Sequence, residues 1–413
     1  MTRIRWTICA LLFFATTVNY MDRQVLSILA KTLEVRIGWT TIQYGYITAA
    51  FQASYAIGLL FAGRLIDRLG TKKGYAIAVG VWGSAAMAHA AAFSAFTFGV
   101  ARSLLGLGES ANFPAALKGL AEWFPKKERA LAVGIFNSGA NVGPILASFT
   151  VPPLAVAFGW QAAFIAIGAL DFVTLAAWLS WYAKPTEHRH VSADELAHIE
   201  SDPPDRAGSV PWGPLWRKKE TWAFALAKAL TDPVWWFYLF WFPRYLQETF
   251  GLTLQRLVWP TVIVYSICTM GSVGGGFFST ALLARGWRLN RARKTAMLFF
   301  CVAAIPVMYA PHAKNLWVVV GLIGLATAAH QGWSANLLTF PSDTFPRAAV
   351  GSVVGIGGLF GSVAGVLLQV ATGYIVQWTH SYVPLFVIGG SAYLVAWTVL
   401  NGLSPRLEPA QLD

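Results

Sequence analysis

The stretch Gly63-Arg-Leu-Ile-Asp-Arg-Leu-Gly-Thr-Lys-Lys73 is a short basic turn between two long apolar runs. A related turn, Ala284-Arg-Gly-Trp-Arg-Leu-Asn-Arg-Ala-Arg-Lys294, occupies the equivalent place in the second half of the chain, although it lacks the aspartate. Two basic turns at equivalent places indicate an internal repeat. The sequence therefore predicts two halves of similar architecture.

Twelve apolar stretches, each long enough to cross a membrane, surround these turns. A helix needs about 20 apolar residues to span the hydrocarbon core. Of the 413 residues, 56% are hydrophobic and 12% are charged, whereas soluble domains carry about 25% charged residues. A soluble enzyme, a secreted disulfide scaffold and a disordered chain are therefore excluded. The predicted spans are residues 6–30, 43–63, 74–93, 95–118, 129–153, 161–183, 221–247, 257–283, 294–310, 314–340, 347–377 and 381–403.

Basic residues are unequally distributed over alternate loops. With both termini on the cytoplasmic side, 23 of the 31 Lys and Arg residues fall in cytoplasmic segments, five fall on the opposite side and three lie within spans. Cytoplasmic loops of membrane proteins carry such an excess of positive charge. The net charge of +12 therefore reports orientation in a lipid bilayer, and no nucleic-acid partner is predicted.

The longest polar stretch separates six spans from six others. We predict an N-terminal six-helix bundle over 1–183, a cytoplasmic linker over 184–220 and a C-terminal six-helix bundle over 221–413. Within the linker, Ser192 and Glu195 fit the S-x-x-E pattern of a capping box, which predicts a short helix after Ser192.

Five charged side chains fall inside the N-terminal spans, where each costs at least about 2.5–3.5 kcal/mol to insert. Asp22 and Arg23 lie in span 1, and Arg102 and Glu109 lie in span 4. A separation of seven residues places Arg102 and Glu109 on one helix face. We expect crossed ion pairs between spans 1 and 4. Asp171 is alone in a span rich in Leu and Ala, and we interpret it as structural.

Arginine beside a protonatable carboxylate suits proton-coupled uptake of an anion. An arginine can bind a carboxylate through two parallel hydrogen bonds. When a proton neutralises Asp22 or Glu109, the partner arginine becomes free for the substrate. We therefore expect protons as the coupling ion, no cofactor, and alternating access of the two halves. The alternative is a static buried salt bridge that only fixes helix packing.

Polar and aromatic residues lie at cavity-like positions around these charges. Aromatic faces with amides at their edges suit sugar-like ligands. The alternative for the span 7 aromatic residues is an interfacial belt. The candidate substrate-binding residues are Arg23, Tyr55, Asn137, Asn141, Lys228, Trp235, Tyr238, Gln331, Trp333 and Asn336.

The basic turn at 63–73 resembles the G-x-L-x-D-R-x-G-R/T-K-K loop of the major facilitator superfamily. This resemblance implies an all-α membrane protein with twelve transmembrane helices in two six-helix bundles. It also implies that Gly63, Asp67, Arg68 and Gly70 form a cytoplasmic gate, with Asp67 facing a helix end or an arginine.

Further motifs resemble the anion:cation symporter family within that superfamily. They are Asn19-Tyr-Met-Asp-Arg23 and the span 4 stretch Arg102 to Pro114, while Lys228 to Trp241 and Ala329 to Asn336 look similar to the bacterial hexuronate transporter branch. The resemblance implies monomeric symport of glucuronate or galacturonate with protons across the bacterial inner membrane. It assigns substrate contacts to Arg23 and Tyr55, and proton coupling to Asp22, Arg102 and Glu109.

Several alternatives remain open at this point. The substrate could be another organic anion, such as an aldonate or aldarate, and an antiporter of the same fold is the next candidate. A membrane enzyme is disfavoured because the spans hold no nucleophile–base set or phosphate loop. No metal site is predicted either, because the cysteines Cys9, Cys268 and Cys301 are scattered and unpaired.

Overall fold

The computed structural model describes residues 3–201, 212–408 and 410. The chain divides into two compact units, Met1–Asp205 and Arg206–Asp413. Each of the twelve predicted spans falls on a helix or a pair of consecutive helices, which confirms the all-α fold. The predicted boundaries at 183 and 220 remain predictions, and residues 202–211 of the linker lie outside the described residues.

The first unit is built from long apolar helices. Its helices are α1 (Ile4–Ile37), α2 (Thr41–Leu69), α3 (Thr71–Ala88), α4 (Ala95–Glu109), α5 (Asn112–Trp123), α6 (Lys126–Phe158), α7 (Trp160–Trp181) and α8 (Ala193–Ile199). Thr40 and Gln43 form a reciprocal capping box at the start of α2. Gly70 ends α2 with a φ of 77°, a left-handed conformation that favours glycine. The basic turn is thus a sharp break between α2 and α3.

Predicted span 4 is two helices, because the chain turns at residues 110–111 between α4 and α5. Small residues bring α4 close to its neighbours. A Cβ at position 108 would lie 2.8 Å from the backbone nitrogen of Trp82 in α3, and Gly106 lies directly against the carbonyl of Phe51 in α2. Close packing of α4 against α2 and α3 fixes the orientation of the helix face that carries Arg102 and Glu109.

Helix α1 packs against α6 in the same way. A Cβ at position 139 would lie 2.7 Å from the carbonyl oxygen of Phe13, and a Cβ at position 143 would lie 2.7 Å from the Cβ of Tyr20. Small residues at membrane helix interfaces allow backbones to approach closely. Gly139 and Gly143 of α6 therefore have a packing role here.

The linker helix α8 begins as predicted. The Oγ of Ser192 accepts a hydrogen bond from the backbone N–H of Glu195 at 3.3 Å. The buried carboxylate of Glu195 also reaches the start of α1, where it accepts bonds from the N–H groups of Ile4 and Arg5 at 3.2 Å and pairs with the Arg5 guanidinium at 3.1 Å. This part of the linker is therefore docked on the first unit.

The second unit repeats the helical pattern. Its helices are α9 (Trp212–Leu215), α10 (Lys219–Phe250), α11 (Val258–Ala284), α12 (Leu289–Ala304), α13 (Leu316–Leu337), α14 (Phe340–Thr344), α15 (Arg347–Thr379) and α16 (Val383–Leu403). Gly275 of α11 lies against Gly332 of α13 so closely that a Cβ would overlap with it. Contact between two glycines allows these helices to pack backbone to backbone.

Nine helices of the described residues are long and apolar enough to cross a membrane. The other three predicted spans correspond to α3, the α4–α5 pair and α10. Helix α3 carries two lysines in its first turn, α4 and α5 are individually short, and α10 carries charges including Lys228, Asp232 and Arg244. Their apolar signal is weakened by charges and by the helix break.

Candidate functional site

A buried ion pair joins α1 to α4 in the first unit. The Nε of Arg23 lies 2.6 Å from Oε2 of Glu109, and the two side chains are 1% and 0% exposed. Arg23 also donates from Nη2 to Oδ1 of Asn19 at 3.2 Å. This geometry confirms one of the crossed pairs expected from the sequence.

Aromatic rings surround the Arg23 guanidinium. Its Cζ lies 4.4 Å from the ring centroid of Tyr20, 5.0 Å from that of Tyr55 and 5.3 Å from that of Phe51. Ring faces attract cations at such distances, and the attraction strengthens when water is excluded. Tyr55, a predicted substrate residue, is therefore in contact with Arg23 in the same cluster.

The second expected crossed pair, Asp22 with Arg102, is wrong for this structure. Arg102 is fully buried and donates from Nη2 to the backbone carbonyl of Arg23 at 3.2 Å. Within the described part of the chain its Nε and Nη1 have no hydrogen-bond partner. The reason is that the Arg102 guanidinium is held by the main chain of α1, while Asp22 faces Asp171 of α7.

The interpretation of Asp171 as structural stays a prediction, but the structure gives this residue partners outside α7. Its Oδ1 accepts a hydrogen bond from Nε1 of Trp82 at 2.7 Å, and its carboxyl group faces Asp22. Helix periodicity along α7 alone gives no sign of this contact, because the partner groups come from α1 and α3.

The remaining predicted residues of the first unit differ in whether they are buried. Asn141 is buried in α6, whereas Asn137, one turn earlier, is exposed and does not join the buried cluster. Gln52 of α2 is fully buried, and neither atom of its side-chain amide has a partner among the described residues. Gln52, which the sequence places with Tyr55 among the polar and aromatic residues of span 2, is therefore a further candidate polar group beside Phe51.

The second unit has a local ion pair. The Nζ of Lys228 lies 2.6 Å from Oδ2 of Asp232, one turn further along α10. Gly361 of α15 lies directly against the Asp232 carboxylate. This pair lies within one helix, unlike the pair between Arg23 and Glu109.

Aromatic and neutral polar groups line α10 and α13. Trp235 stacks on His330 with ring centroids 5.3 Å apart, and the Nδ1 of His330 lies 2.9 Å from the Tyr393 hydroxyl. Tyr238 is buried with its hydroxyl unpartnered among the described residues. Burial inside the bundle argues against an interfacial belt for Tyr238.

Two predicted substrate residues of α13 have internal partners. Nε1 of Trp333 donates to Oγ1 of Thr231 at 3.2 Å. The Nδ2 of Asn336 donates to the carbonyls of Gly275 at 3.0 Å and Gly332 at 2.9 Å. Gln331 is half-buried. These contacts give Trp333 and Asn336 a role in holding α13 against α10 and α11.

Sequence reasoning missed a buried charge cluster near the end of α10. Arg244 is one of the five basic residues that the sequence assigns to the side opposite the cytoplasm, but it is fully buried and its Nη2 lies 2.9 Å from Oε1 of Glu248. The Tyr382 hydroxyl donates to the other oxygen of Glu248 at 2.6 Å, and Arg244 lies over the Trp241 ring. The spacing of four residues between Arg244 and Glu248 was the signal available in the sequence.

At the predicted cytoplasmic gate, Asp67 faces a lysine instead of a helix end or an arginine. Nζ of Lys118, in α5, lies 2.7 Å from Oδ1 of Asp67. Gly63 and Gly70 are half-exposed and Arg68 is exposed. The Asp67 side chain is 72% exposed, and such exposed pairs contribute only about 0–1 kcal/mol. A weak pair at this turn is easily broken. Across the described ranges, no cluster of His, Cys, Asp and Glu could hold a metal ion.

Residues 12–369 match the family model of the Major Facilitator Superfamily. The chain belongs to this superfamily, and it is therefore a multi-pass membrane transporter and not an enzyme.

Among its relatives is the hexuronate transporter of Escherichia coli (strain K12), which is 32% identical over 419 residues covering 99% of this chain and 96% of the relative. The galacturonate transporter of Dickeya chrysanthemi is 34% identical over 66% of this chain and 81% of that protein. The probable galactarate/D-glucarate transporter GarP of Escherichia coli (strain K12) is 30% identical over 95% of this chain and 93% of the relative.

Solved structures share the fold. A bacterial homologue of the human lysosomal transporter Spinster, in an inward-facing and occupied conformation, aligns with a TM-score of 0.76 at 16% identity over 98% of both chains. A D-xylose–proton symporter aligns with a TM-score of 0.75 at 14% identity over 96% of this chain and 97% of the other. At these identities the likeness concerns the fold alone.

Proposed function

We propose that this transporter is a proton-coupled symporter that imports a sugar-acid anion, a hexuronate such as glucuronate or galacturonate, across the bacterial inner membrane. The observation that carries the proposal is the buried pair between Arg23 and Glu109 at 2.6 Å. A buried arginine stays charged, whereas a carboxylate can be neutralised by a proton. Protonation of Glu109 releases Arg23, which then binds the substrate carboxylate.

The surroundings of Arg23 suit a sugar acid. The guanidinium supplies a planar fork of donors that matches a carboxylate, while Tyr20 and Tyr55 supply ring faces beside it. Asn19 and Asn141 are buried amides of the same unit, and amides can bond to hydroxyl groups. A sugar acid has one carboxylate and several hydroxyls, which is the combination these groups recognise.

The similarity to transporters of hexuronates supports the substrate class. The relatives named as galactarate and glucarate transporters make an aldarate the second candidate. Lys228 of the second unit offers a further cation for such a ligand, although it is paired with Asp232. We place both termini in the cytoplasm, because this orientation puts most loop cations on that side.

The basic turn between α2 and α3 serves as the cytoplasmic gate in this proposal. Asp67 and Lys118 hold the ends of α2 and α5 together by one exposed pair. Because an exposed pair is weak, it can form and break during alternating access without a large barrier.

Transport into proteoliposomes tests the proposal. With an inward proton gradient, wild-type protein should accumulate labelled glucuronate, and Arg23→Ala should lower the initial rate about 30-fold or more, since removing one partner of a buried charge pair costs about 2–5 kcal/mol. Arg36→Ala is the matched control, because Arg36 lies on the same helix but is exposed and should transport normally.

Two outcomes contradict the proposal. Uptake that is unaffected when a protonophore collapses the gradient excludes proton coupling, and a sodium gradient is then the next driving force to test. Preferred competition by unlabelled galactarate or galactonate over unlabelled glucuronate and galacturonate assigns the site to an aldarate or an aldonate.

A further inference from the structure

A group of basic side chains without ion pairs lies where α3 begins and α7 ends. Lys72 and Lys73 belong to the first turn of α3, Lys184 follows α7, and Arg189 lies five residues further along the chain. None of the four has an ion pair among the described residues, whereas Lys118 of the neighbouring helix α5 does. These four cations are therefore available to a partner outside the unit.

One half-buried carboxylate holds the two helix ends together. The Thr71 hydroxyl donates to Oε1 of Glu122, in α5, at 2.7 Å, and the Tyr182 hydroxyl donates to the other oxygen of Glu122. Nε1 of Trp178, in α7, donates to the backbone carbonyl of Lys72 at 3.0 Å. The basic residues that adjoin Thr71 and Tyr182 in the sequence are therefore brought together, and both oxygens of Glu122 are already engaged.

An exposed tryptophan lies beside these cations. Trp181, the last residue of α7, is 45% exposed, and the ring centroid of His190 lies 5.9 Å from its own. Nε2 of His188 lies 3.1 Å from the backbone carbonyl of Trp181, so the chain that follows α7 folds back over the helix end. Tryptophan is enriched at the membrane–water interface. The position of Trp181 therefore indicates that the basic group lies at the level of the lipid headgroups.

Nearby groups do not cancel the positive charge. Residues 71–74 and 184–190 hold four Lys and Arg residues but one acidic residue, the exposed Glu187. Partial burial lowers the pKa of His188, and the charge of Lys72 also lowers it, while its hydrogen bond to Trp181 acts in the opposite direction. His188 is therefore uncharged at neutral pH. The group has a clear excess of positive charge from its lysines and its arginine.

Exposed apolar side chains continue from this group along both helices. On α3, Ile77 and Val81 follow Lys73 at intervals of four residues, so the three share a helix face, and both apolar side chains are exposed. On α7, Val173 is exposed about two turns before Trp181. Because α3 packs against α7, an apolar surface extends from the cations along about 12 Å of helix.

We propose that Lys72, Lys73, Lys184 and Arg189 bind the phosphate headgroup of an anionic phospholipid, whose acyl chains lie along the exposed apolar faces of α3 and α7. Basic pockets between transmembrane helices bind such headgroups. A soluble phosphate would satisfy the cations but would leave the apolar faces without a partner. A zwitterionic lipid would bring a further positive charge into a group that already has four.

Native mass spectrometry of the purified protein tests the site without any transport substrate. The protein is titrated in detergent with phosphatidylglycerol or with phosphatidylcholine of the same acyl chains, and the wild type should retain phosphatidylglycerol in preference. The triple variant Lys72→Gln/Lys73→Gln/Lys184→Gln should bind the first phosphatidylglycerol about 100-fold more weakly, since each basic residue near an anionic lipid contributes about fivefold.

A matched variant controls for the loss of net charge. Arg217→Gln/Arg285→Gln/Arg288→Gln also removes three cations, all exposed in the second unit, and it should bind phosphatidylglycerol like the wild type. If the two triple variants bind the lipid equally well, the proposal is overturned, because the effect then depends on net charge and not on this site. Equal retention of the two lipids by the wild type overturns it as well.

Thermal unfolding in detergent provides a second measurement. Added phosphatidylglycerol should raise the midpoint of the wild type and of the control variant, and it should leave that of Lys72→Gln/Lys73→Gln/Lys184→Gln almost unchanged. Without lipid the three proteins should unfold at similar temperatures, because the substituted side chains lie at the surface. If inorganic phosphate at the concentration of the lipid removes the bound phosphatidylglycerol, the cations bind a soluble anion and the lipid proposal is wrong.

Discussion

The interiors of the two units use different chemistry on the same helical framework. In the first unit, charged side chains meet across helices, as Arg23 does with Glu109 at 2.6 Å. In the second unit the Lys228–Asp232 pair stays within α10, and neutral groups connect α10, α13 and α16 around it, as Trp333 does with Thr231 and His330 with Tyr393. Charged contacts between helices of that unit lie elsewhere, in the Arg293–Asp343 pair at 3.2 Å and in the contact of Glu248 with Tyr382.

This difference indicates that the two units have different roles in proton coupling. Charging or neutralising one partner of an inter-helix ion pair changes how strongly two helices hold each other. The same event in a pair within one helix leaves the neighbouring helices where they are. A hydrogen bond such as that between Trp333 and Thr231 does not respond to pH near neutrality, since neither an indole nor a hydroxyl group titrates there. We therefore expect proton coupling to depend on the first unit, and the second unit to act as a stable partner.

The strongest test of these different roles is the variant Glu109→Gln. Glutamine can keep a hydrogen bond to Arg23, but it has no charge and does not take up or release a proton. Arg23 is therefore held only weakly at every pH and stays available to the substrate. The variant should exchange labelled glucuronate across proteoliposomes while losing proton-driven accumulation completely. The matched variant in the second unit is Asp232→Asn, which should still accumulate substrate against a gradient.

Equal loss of exchange and accumulation in Glu109→Gln would assign a structural role to the Arg23–Glu109 pair. If Asp232→Asn loses accumulation but retains exchange, proton coupling depends on the second unit. The roles assigned above to the two units would then be reversed.

A second test concerns stability. In Lys228→Met the carboxylate of Asp232, which is 18% exposed, is left without its partner, and the free energy of unfolding should fall by about 3 kcal/mol. The double variant Lys228→Met/Asp232→Asn removes both charges and should recover most of that loss. Thermal unfolding followed with a thiol-reactive fluorophore measures this, because Cys9, Cys268 and Cys301 are buried until the protein unfolds.

If the double variant is as unstable as the single one, the lysine contributes through packing and not through its charge. If the double variant is stable but no longer binds glucuronate, Lys228 has the substrate role that the sequence predicted, and the second unit contributes a cation to recognition.

The fold was predictable because each span is marked by its own local composition. Apolar length and the basic turn at 63–73 depend only on neighbouring residues, and every predicted span falls on one helix or on two consecutive helices. The break between α4 and α5 at residues 110–111 was not predicted, because a helix in a membrane tolerates such a turn without interrupting the apolar run.

The site was predictable only in part. Arg23 and Glu109 were predictable as site residues because an ionisable group in a membrane span is costly unless it has a partner. Which partner each group takes is decided by packing between helices distant in sequence, so Asp22 was assigned to Arg102 although it faces Asp171. Asn137 and Asn141 are one turn apart and share a face of α6, yet only Asn141 is buried. Spacing gives the face but not how far along the helix the neighbouring elements cover it.

The smallest expected effect comes from a neutral contact of the second unit. Nε1 of Trp333 donates to Oγ1 of Thr231, and that hydroxyl itself donates to the carbonyl of Ala227 at 2.8 Å. A double-mutant cycle with Thr231→Val and Trp333→Phe should give a coupling energy of about 1 kcal/mol in unfolding. That coupling should be the same at pH 6 and pH 8, because neither group titrates in this range. A coupling that changes with pH would mean that a charged group nearby reaches this contact, and the second unit would then share the proton response assigned here to the first.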